Sequence, residues 1–522
     1  MKNRFLLPVT FLVGFFSFSQ NWGLDQDFNT VGYNATDLIV NGDDYAECLT
    51  IQDDGKILVG GYGLRIARYN TDGTLDTSFN TMGYTSPFGN NVGLNYIKQI
   101  IITPTNKILG VGAIFTTKWY IYLVQYNMNG TLDTTFGTNG RKNIDVGPSI
   151  TMTVGNAIYT SDNKILIATN SYLSDGDYNI VKTNKFGDLE TSFGTNGIAT
   201  LDGMNNDLEG RIALRPDGKI LLSGNSNNSP ASGTYKQHGL MLVNADGTLD
   251  TTFGNNGKIF TNFETNNSQQ IKNLTLLNDN SVLISGALYT NNQTASDGFV
   301  AKYNSNGVLD PSFGTNGVSS VSFVNSNGFL GMSDYINGMT IQNDSKIVIV
   351  GLTTGYQMSN KFCVARLNAN GTIDSTFGTN GQMLIPIYGY DDVALDVKTQ
   401  SDGKIVVSGT TKIANFDRSY VVARLTPNST LSTSEIAHQD NLLQLFPNPA
   451  KNQITISGLN SYFSGGKLST VFLTIDGKEL KTLEWINSSD SIDVDLNNFS
   501  TGIYILKISD GSNEVIKKFI KQ

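Results

Sequence analysis

Asp246-Gly247-Thr248-Leu249-Asp250-Thr251-Thr252-Phe253-Gly254-Asn255-Asn256-Gly257 is the clearest of seven near-copies of one phrase. The phenylalanine of its Leu-Asp-x-x-Phe core (Ile-Asp or Leu-Glu once each) falls at Phe28, Phe79, Phe136, Phe193, Phe253, Phe313 and Phe377, with gaps of 51, 57, 57, 60, 60 and 64 residues. A period of that length marks one supersecondary unit copied in tandem. Repeat arrays more often present surfaces than build a single catalytic pocket, which lowers the expectation of an enzyme.

Outward from the phrase, each unit carries a hairpin such as Leu395 to Gly409, where apolar runs flank Asp402-Gly403-Lys404. Asp-Gly is a strong hairpin signal because both residues tolerate positive φ angles. The same piece stands at Asp54-Gly55-Lys56, Thr105-Asn106-Lys107, Asp162-Asn163-Lys164, Asp217-Gly218-Lys219, Asn280-Ser281 and Asp344-Ser345-Lys346. A third strand, such as Phe362 to Leu367, leads through Asn-x-Asp/Asn-Gly into the phrase, and a short fourth strand, such as Gly317 to Phe323, follows it. Four strands per unit without helical periodicity make an antiparallel sheet. The fold class is therefore all-β: a seven-bladed β-propeller of four-stranded blades, closed by radial repetition, and then a small Ig-like β-sandwich. Closure is legible at the ends. The last unit runs through Val421 to Asn428 with a decayed phrase at Leu431-Ser432-Thr433-Ser434, and the missing phrase stands alone at Gly23 to Gly32. The phrase's Phe is expected to pack between adjacent blades.

The totals narrow the function. With 36 basic and 45 acidic residues among 522, the chain carries −9, and nucleic-acid binding would need a basic footprint. Cys48 and Cys363 lie in apolar, strand-like stretches of distant repeats and read as two buried free thiols. Lys2 and Arg4, the apolar run Phe5 to Phe16 and Ser17-x-Ser19 compose a signal peptide, residues 1–19, cleaved between Ser19 and Gln20. No later run approaches the ~20 apolar residues of a transmembrane helix. The expected domains are the propeller at 20–430, a Ser/Thr-rich linker at 431–441 and a terminal module at 442–522. The mature protein is expected to be a monomer.

These motifs resemble two known families. The units are similar to the delta-60 repeat, which reads roughly DGKI-V-G and then A-R-x-N-x-DG-x-LD-x-S/T-F-G; the likeness covers Gly23 to about Leu431. It implies a propeller-like fold and no general activity. Departures at the hairpin turns (Asn106, Asn163, Ser281, Ser345) are expected to loosen turn geometry. At the C-terminus, Pro447-Asn448-Pro449, the turn Ile475-Asp476-Gly477-Lys478, Ser500-Thr501-Gly502-Ile503-Tyr504 and the basic Lys517-Lys518 end resemble, in that order, the type A sorting domain of type IX secretion. That resemblance implies Sec export, recognition by the type IX machinery at the outer membrane, and release or surface anchoring.

The chain offers little catalytic chemistry. His238, in a variable loop, and His438, in the link, are the only histidines, so a His-based triad or metal site is not expected. Catalytic, cofactor and metal residues are none. The turn Asn70 to Asp76 resembles a calcium loop only superficially, lacking the dense oxygen ligands and closing Glu of an EF-hand. Eleven residues before each central hairpin residue stand Asp44, Asn95, Met152, Asp207, Gln269, Asp334 and Asp392. The six polar ones either form a partly acidic ring at one mouth of the axial channel, holding a cation or polar ligand, or satisfy backbone donors at loop-to-strand junctions. The variable connections collect on one face and carry Phe88, Tyr172, Tyr235, Tyr289, Phe329 and Tyr356. Aromatic plates beside amides suit sugars or peptides. The expected function is a secreted or cell-surface, non-catalytic binding or adhesion propeller meeting surface glycans or proteins. Its rivals are a structural surface coat and a glycan-active enzyme using channel carboxylates.

Overall fold

The computed structural model describes residues 22–39, 44–88, 95–147, 152–171, 176–203, 205–227, 236–263, 268–289, 296–323, 333–355, 358–385, 387, 391–414, 417–427, 443–463, 466–474, 478–486, 489–510 and 514–522, with backbone alone at 205–209. The signal segment, with Ser19 and Gln20, lies outside them. Two compact units divide the chain, residues 1–427 and 428–522.

In the second repeat the strands Tyr96–Ile102, Ile108–Phe115, Trp119–Tyr126 and Arg141–Ile144 pair antiparallel in sequence order. The other repeats follow the same meander. The middle strands are buried on both faces, as every residue of Ile57–Gly61 is, and the large buried clusters form between neighbouring repeats. Val111, Leu123 and Phe136 of the second repeat pack with Val154, Ile165 and Val181 of the third.

Among the described residues, seven inner strands follow one another: Ala46–Ile51, Tyr96–Ile102, Met152–Tyr159, Asn205–Leu214, Ser268–Leu276, Ser333–Ile341 and Asp392–Thr399. Each contacts the next, and the seventh contacts the first, so the ring is closed. The N-terminal Trp22–Leu24 and Tyr33–Thr36 complete the last sheet by pairing antiparallel with Asp417–Pro427. Every junction carries a side chain bonded to the neighbouring repeat. At closure, Leu49 N donates to Asp396 Oδ2 at 2.9 Å. Elsewhere Asn156 both donates to Ile212 O (2.9 Å) and accepts from Ile212 N (2.8 Å), and Asn273 and Asn337 donate to Asn337 O and Ala394 O.

The hairpins differ from the expected tight turn. Only the Gly position takes a positive φ (Gly55 +80°, Gly218 +81°, Gly403 +84°); the Asp before it does not. Instead Asp54, Asp217 and Asp402 accept the N–H two residues on, as Asx turns do. Asn106, Asn163 and Ser345 adopt the same positive φ, so these substitutions preserve the geometry. In the fifth repeat the positive-φ residue is Asn280, and Ser281 takes the lysine's place.

The second unit packs two sheets over one core. Gln444–Phe446, Gln453–Ser457 and Ser491–Asp495 form one; Glu479–Ile486, Lys467–Thr474, Gly502–Ser509 and Glu514–Lys521 form the other. Ile454, Ile456 and Val494 meet Phe472, Leu506 and Phe519 between them. Its single short helix, Leu459–Tyr462, is one turn long.

Candidate functional site

The phrase that recurs seven times is a joint. Its acid takes the hairpin lysine: Lys56–Asp76 2.8 Å, Lys107–Asp133 3.1 Å, Lys164–Glu190 2.5 Å, Lys219–Asp250 2.6 Å, Lys346–Asp374 3.0 Å and Lys404–Asp25 2.9 Å. In the fifth repeat, where Ser281 replaces that lysine, Lys302 reaches Asp310 at 3.0 Å. In five copies the second oxygen accepts the N–H and hydroxyl of Ser78, Thr135, Thr252, Ser312 or Thr376. Burial works to raise the Asp133 and Asp374 carboxyls, but these hydrogen bonds and cations outweigh it and hold both at about 2. Arg68, Arg366 and Arg424 bond the same acid and lie 4.5, 4.8 and 4.6 Å from the phrase rings of Phe79, Phe377 and Phe28. Each phrase Phe is buried, and Phe28, Phe79, Phe253 and Phe313 seat under the next repeat's turn glycine. A Cβ on Gly371 (φ +83°) would come within 2.8 Å of Phe313, and one on Gly73 (φ +83°) within 2.7 Å of Phe28. The expected interblade packing holds, and the phrase acids are engaged in the joint.

The inner-strand residues Asp44, Gln269, Asp334 and Asp392 are fully buried, and Asn95 nearly so. Asp44 Oδ2 accepts from Leu38 N (2.6 Å) and Ile39 N (2.8 Å), Asp334 from Phe323 N (3.0 Å), and Asp392 from Ile387 N (3.2 Å) and the Thr411 hydroxyl. Asn95 accepts from Phe115 N at 2.8 Å, and Gln269 donates to Thr261 O at 2.6 Å. Asp44, Asp334 and Asp392 pin the chain where it leaves one outer strand for the next inner strand. Burial pushes the Asp44 and Asp334 carboxyls up to about 6. Of Asp207 only the backbone is described. The expected ring is therefore corrected for the five whose side chains are described: Asp44, Asn95, Gln269, Asp334 and Asp392 bond neighbouring groups at these junctions and do not line the axial cavity.

That cavity, about 570 Å³, is lined by a different set drawn from all seven inner strands: Glu47, Lys98, Thr153, Arg211, Lys272, Asn337 and Asp396 among others. Glu47, Lys98, Lys272 and Asn337 are the extra residues of a β-bulge, and Thr153, Arg211 and Asp396 are ladder residues beside one. In every inner strand the pairing slips by one residue in mid-strand, at Glu47, Lys98, Gly155-Asn156, Glu209-Gly210, Lys272, Asn337 and Leu395. A bulge leaves its extra residue outside the ladder and re-aims it. Two acids stand on adjacent strands where the ring closes, and both are engaged. Glu47 pairs with Lys98 at 2.6 Å. Asp396 holds Leu49 N, Val397 N (2.8 Å) and Lys398 (3.1 Å). Desolvation works against the Lys98 ammonium, but the Glu47 carboxylate reverses this and raises its pKa. Arg211 is anchored by donating to Gly155 O.

Other candidates fall elsewhere. Tyr172, Tyr235, Phe329 and Tyr356 lie outside the described residues. Tyr289 ends the strand Val282–Tyr289, donates to Gln270 Oε1 at 2.9 Å and faces the Tyr335 ring at 6.0 Å. Phe88 is 40% exposed with Arg141 5.1 Å from its ring centre. His238 is not in a loop but inside the strand Lys236–Val243, fully buried beside the Tyr303 hydroxyl, and burial lowers its pKa to about 3. Cys48 and Cys363 are buried free thiols. His438 lies outside the described residues.

In the second unit the motif residues converge. Asn448, between Pro447 and Pro449, donates to Lys518 O (3.2 Å) and accepts from Ile520 N (2.9 Å). Ala450 N bonds Ile520 O, and Gln522 N bonds Ala450 O, both at 2.8 Å. Gly502 pairs with Lys521, Lys517 with Leu506 and Lys518 with Ile505. The Pro-Asn-Pro loop thus clips the final strand onto the sheet.

Residues 52–79, 103–136, 215–253, 277–313, 342–377 and 400–434 match a domain of unknown function (DUF5122) β-propeller, and residues 444–522 a secretion system C-terminal sorting domain. No curated protein matches the chain. Similar solved structures include a protein of unknown function from Bacteroides caccae (13% identity, TM-score 0.35, covering 63% of this chain and 93% of that one). An α-L-arabinofuranosidase from Fusarium graminearum (9%, 0.38, 65% and 93%) and the polysaccharide lyase Uly1 (11%, 0.41, 73% and 89%) are also similar. At such distances none of their activities transfers.

Proposed function

We propose that this chain, which carries a DUF5122 β-propeller and a type IX secretion C-terminal sorting domain, is an exported, non-catalytic binding protein whose propeller holds its ligand in the axial cavity. The sorting domain sends the protein through the periplasm to secretion or the cell surface. The observation that carries the binding reading is that all seven inner strands contribute polar side chains to one cavity, beside a bulge that recurs in each of them. A non-catalytic role is supported by the two cavity carboxylates. Glycoside cleavage needs one carboxyl to donate a proton and another to attack or activate water, whereas Glu47 and Asp396 already hold cations and backbone N–H groups.

The mature protein should bind on a polysaccharide array without releasing shortened products. Gln99→Trp, which fills the cavity, should abolish that binding, and Tyr289→Ala should leave it intact. Binding lost only in Tyr289→Ala would move the site to the loop face, product release would make the protein an enzyme, and no binding at all would favour a surface coat. Deleting residues 442–522 should strand the propeller in the periplasm; normal arrival in the medium would overturn the role given to the tail.

A further inference from the structure

Resting on that reading of the cavity, we infer that its ligand is an acidic oligosaccharide whose anionic group sits on the arc formed by Lys98, Arg211 and Lys272. The cavity lining contains four cations (Lys98, Arg211, Lys272, Lys398) and two carboxylates (Glu47, Asp396), a difference of +2, inside a chain whose total is −9. Charges scattered at random in an acidic protein would give a lining of the opposite sign. The charges are also sorted around the ring. Both acids stand on the first and seventh inner strands, the seventh also carrying Lys398 paired with Asp396, while Lys98, Arg211 and Lys272 stand on the second, fourth and fifth.

Between the basic positions the third strand contributes no charge, only Thr153, Val154, Gly155 and Asn156. Arg211 opposes the Lys98 ammonium electrostatically, and Glu47, 2.6 Å from Lys98, offsets that within the empty cavity. Holding like charges together in a partly enclosed, low-dielectric space costs free energy, and an anion between them lowers that cost further. Hydroxyl and amide groups (Thr153, Thr275, Gln99, Asn156, Asn273, Asn337) complete the wall together with Tyr96, Val154, Leu274 and Met339, and the surface it exposes is mainly polar. Such a lining suits a polyhydroxylated molecule better than an apolar one. The volume accommodates a short oligosaccharide rather than a single small ion.

The test uses the mature full-length protein and two probes of equal length, trigalacturonate and neutral galactotriose, in titration calorimetry at low and high salt. The charged sugar should bind at least about tenfold more tightly, and the difference should shrink as salt screens it. Lys272→Ala and Arg211→Gln should each weaken it by about tenfold and leave the neutral sugar unchanged. Lys272 is half-buried, and a Lys272→Ala variant that melts like the parent guards against misfolding as the cause of the loss in Arg211→Gln. Equal affinity for both sugars, blocked by Gln99→Trp, would overturn the anion inference and leave the cavity reading standing. Binding of neither sugar, while an array ligand still binds in a manner blocked by Gln99→Trp, would do the same. Trigalacturonate binding that survives Gln99→Trp, Lys272→Ala and Arg211→Gln alike would overturn both.

Discussion

The outer joint and the axial cavity are built from the same seven units, yet one is uniform and the other is not. At the joint, an acid, a lysine and a buried Phe repeat with nearly fixed geometry from Asp25 and Phe28 to Asp374 and Phe377. At the bulge, equivalent backbone positions carry Glu47, Lys98, Gly155, Gly210, Lys272, Asn337 and Leu395. Each joint must fit the next copy of itself, so its chemistry is constrained by neighbours of the same kind. The bulge positions border the cavity and are less constrained: some of their side chains bridge to the next repeat, as Asn337 does to Ala394 O, and others do not, so the backbone is held while the side chains vary. Recurrence here marks what holds the ring together, and departure from recurrence marks what the ring holds.

The sharpest break of that comparison is to empty one joint. Phe313→Ala should cost about 3–5 kcal/mol, because a fully buried ring seated under Gly371 leaves a cavity between repeats. Lys272→Ala should stay within about 0.5 kcal/mol. Urea unfolding of the two variants decides; similar midpoints would erase the distinction between joint and cavity.

A smaller loss should follow Asp374→Asn, about 3 kcal/mol, since it leaves the buried Arg366 guanidinium without its carboxylate. The joint also predicts an acid limb. Carboxyls held at about 2 in the folded chain, below their value of 3.8 when unfolded, contribute stability above that value and lose it as pH falls toward 2. Thermal melting from neutral to acid pH should show the drop, and Asp374→Asn should flatten part of it.

The smallest effect has the opposite sign. Asp334 is raised to about 6 by burial, so its contribution is complete below 3.8 and is lost as pH rises through 6. Asp334→Asn should then stabilise the protein at about pH 7 by roughly 1–2 kcal/mol, with the gain vanishing near about pH 4. Equal melting temperatures for variant and parent at both pH values would show that this carboxyl is not strained by its burial. Asp44 is a poorer probe, because Arg65 lies 3.9 Å away and would lose its partner.

The Phe packing was legible in the amino-acid sequence because the phrase recurs at steady spacing, whereas the lysine–acid pair emerged from the structure and arginine joins it in three copies, at Arg68, Arg366 and Arg424. The closure at Gly23 to Gly32 was legible for the same reason, a missing piece found at the other end. The cavity was not. Counting back from the hairpins selected Asp44, Asn95, Asp207, Gln269, Asp334 and Asp392, and the bulge residues stand three positions further on: Glu47, Lys98, Gly210, Lys272, Asn337 and Leu395. In a regular strand an odd step changes face. One inserted residue reverses that phase, and no residue type announces the insertion. The same count carried three residues forward reaches four of the polar lining residues, Glu47, Lys98, Lys272 and Asn337.

The pairing of Trp22–Leu24 with Leu425–Pro427 has a consequence for how this molecule comes into being. The segment made first finds its place last, because its partner strand is translated some four hundred residues later. Until then the final sheet lacks its outermost strand and offers an open edge to any passing chain. Contacts this distant in sequence form slowly, and the open edge persists until they do. A molecule bound for export is therefore complete only when its beginning and its end have met, and an assembly pathway that keeps the N-terminal strand unengaged until that moment protects it from joining the wrong neighbour.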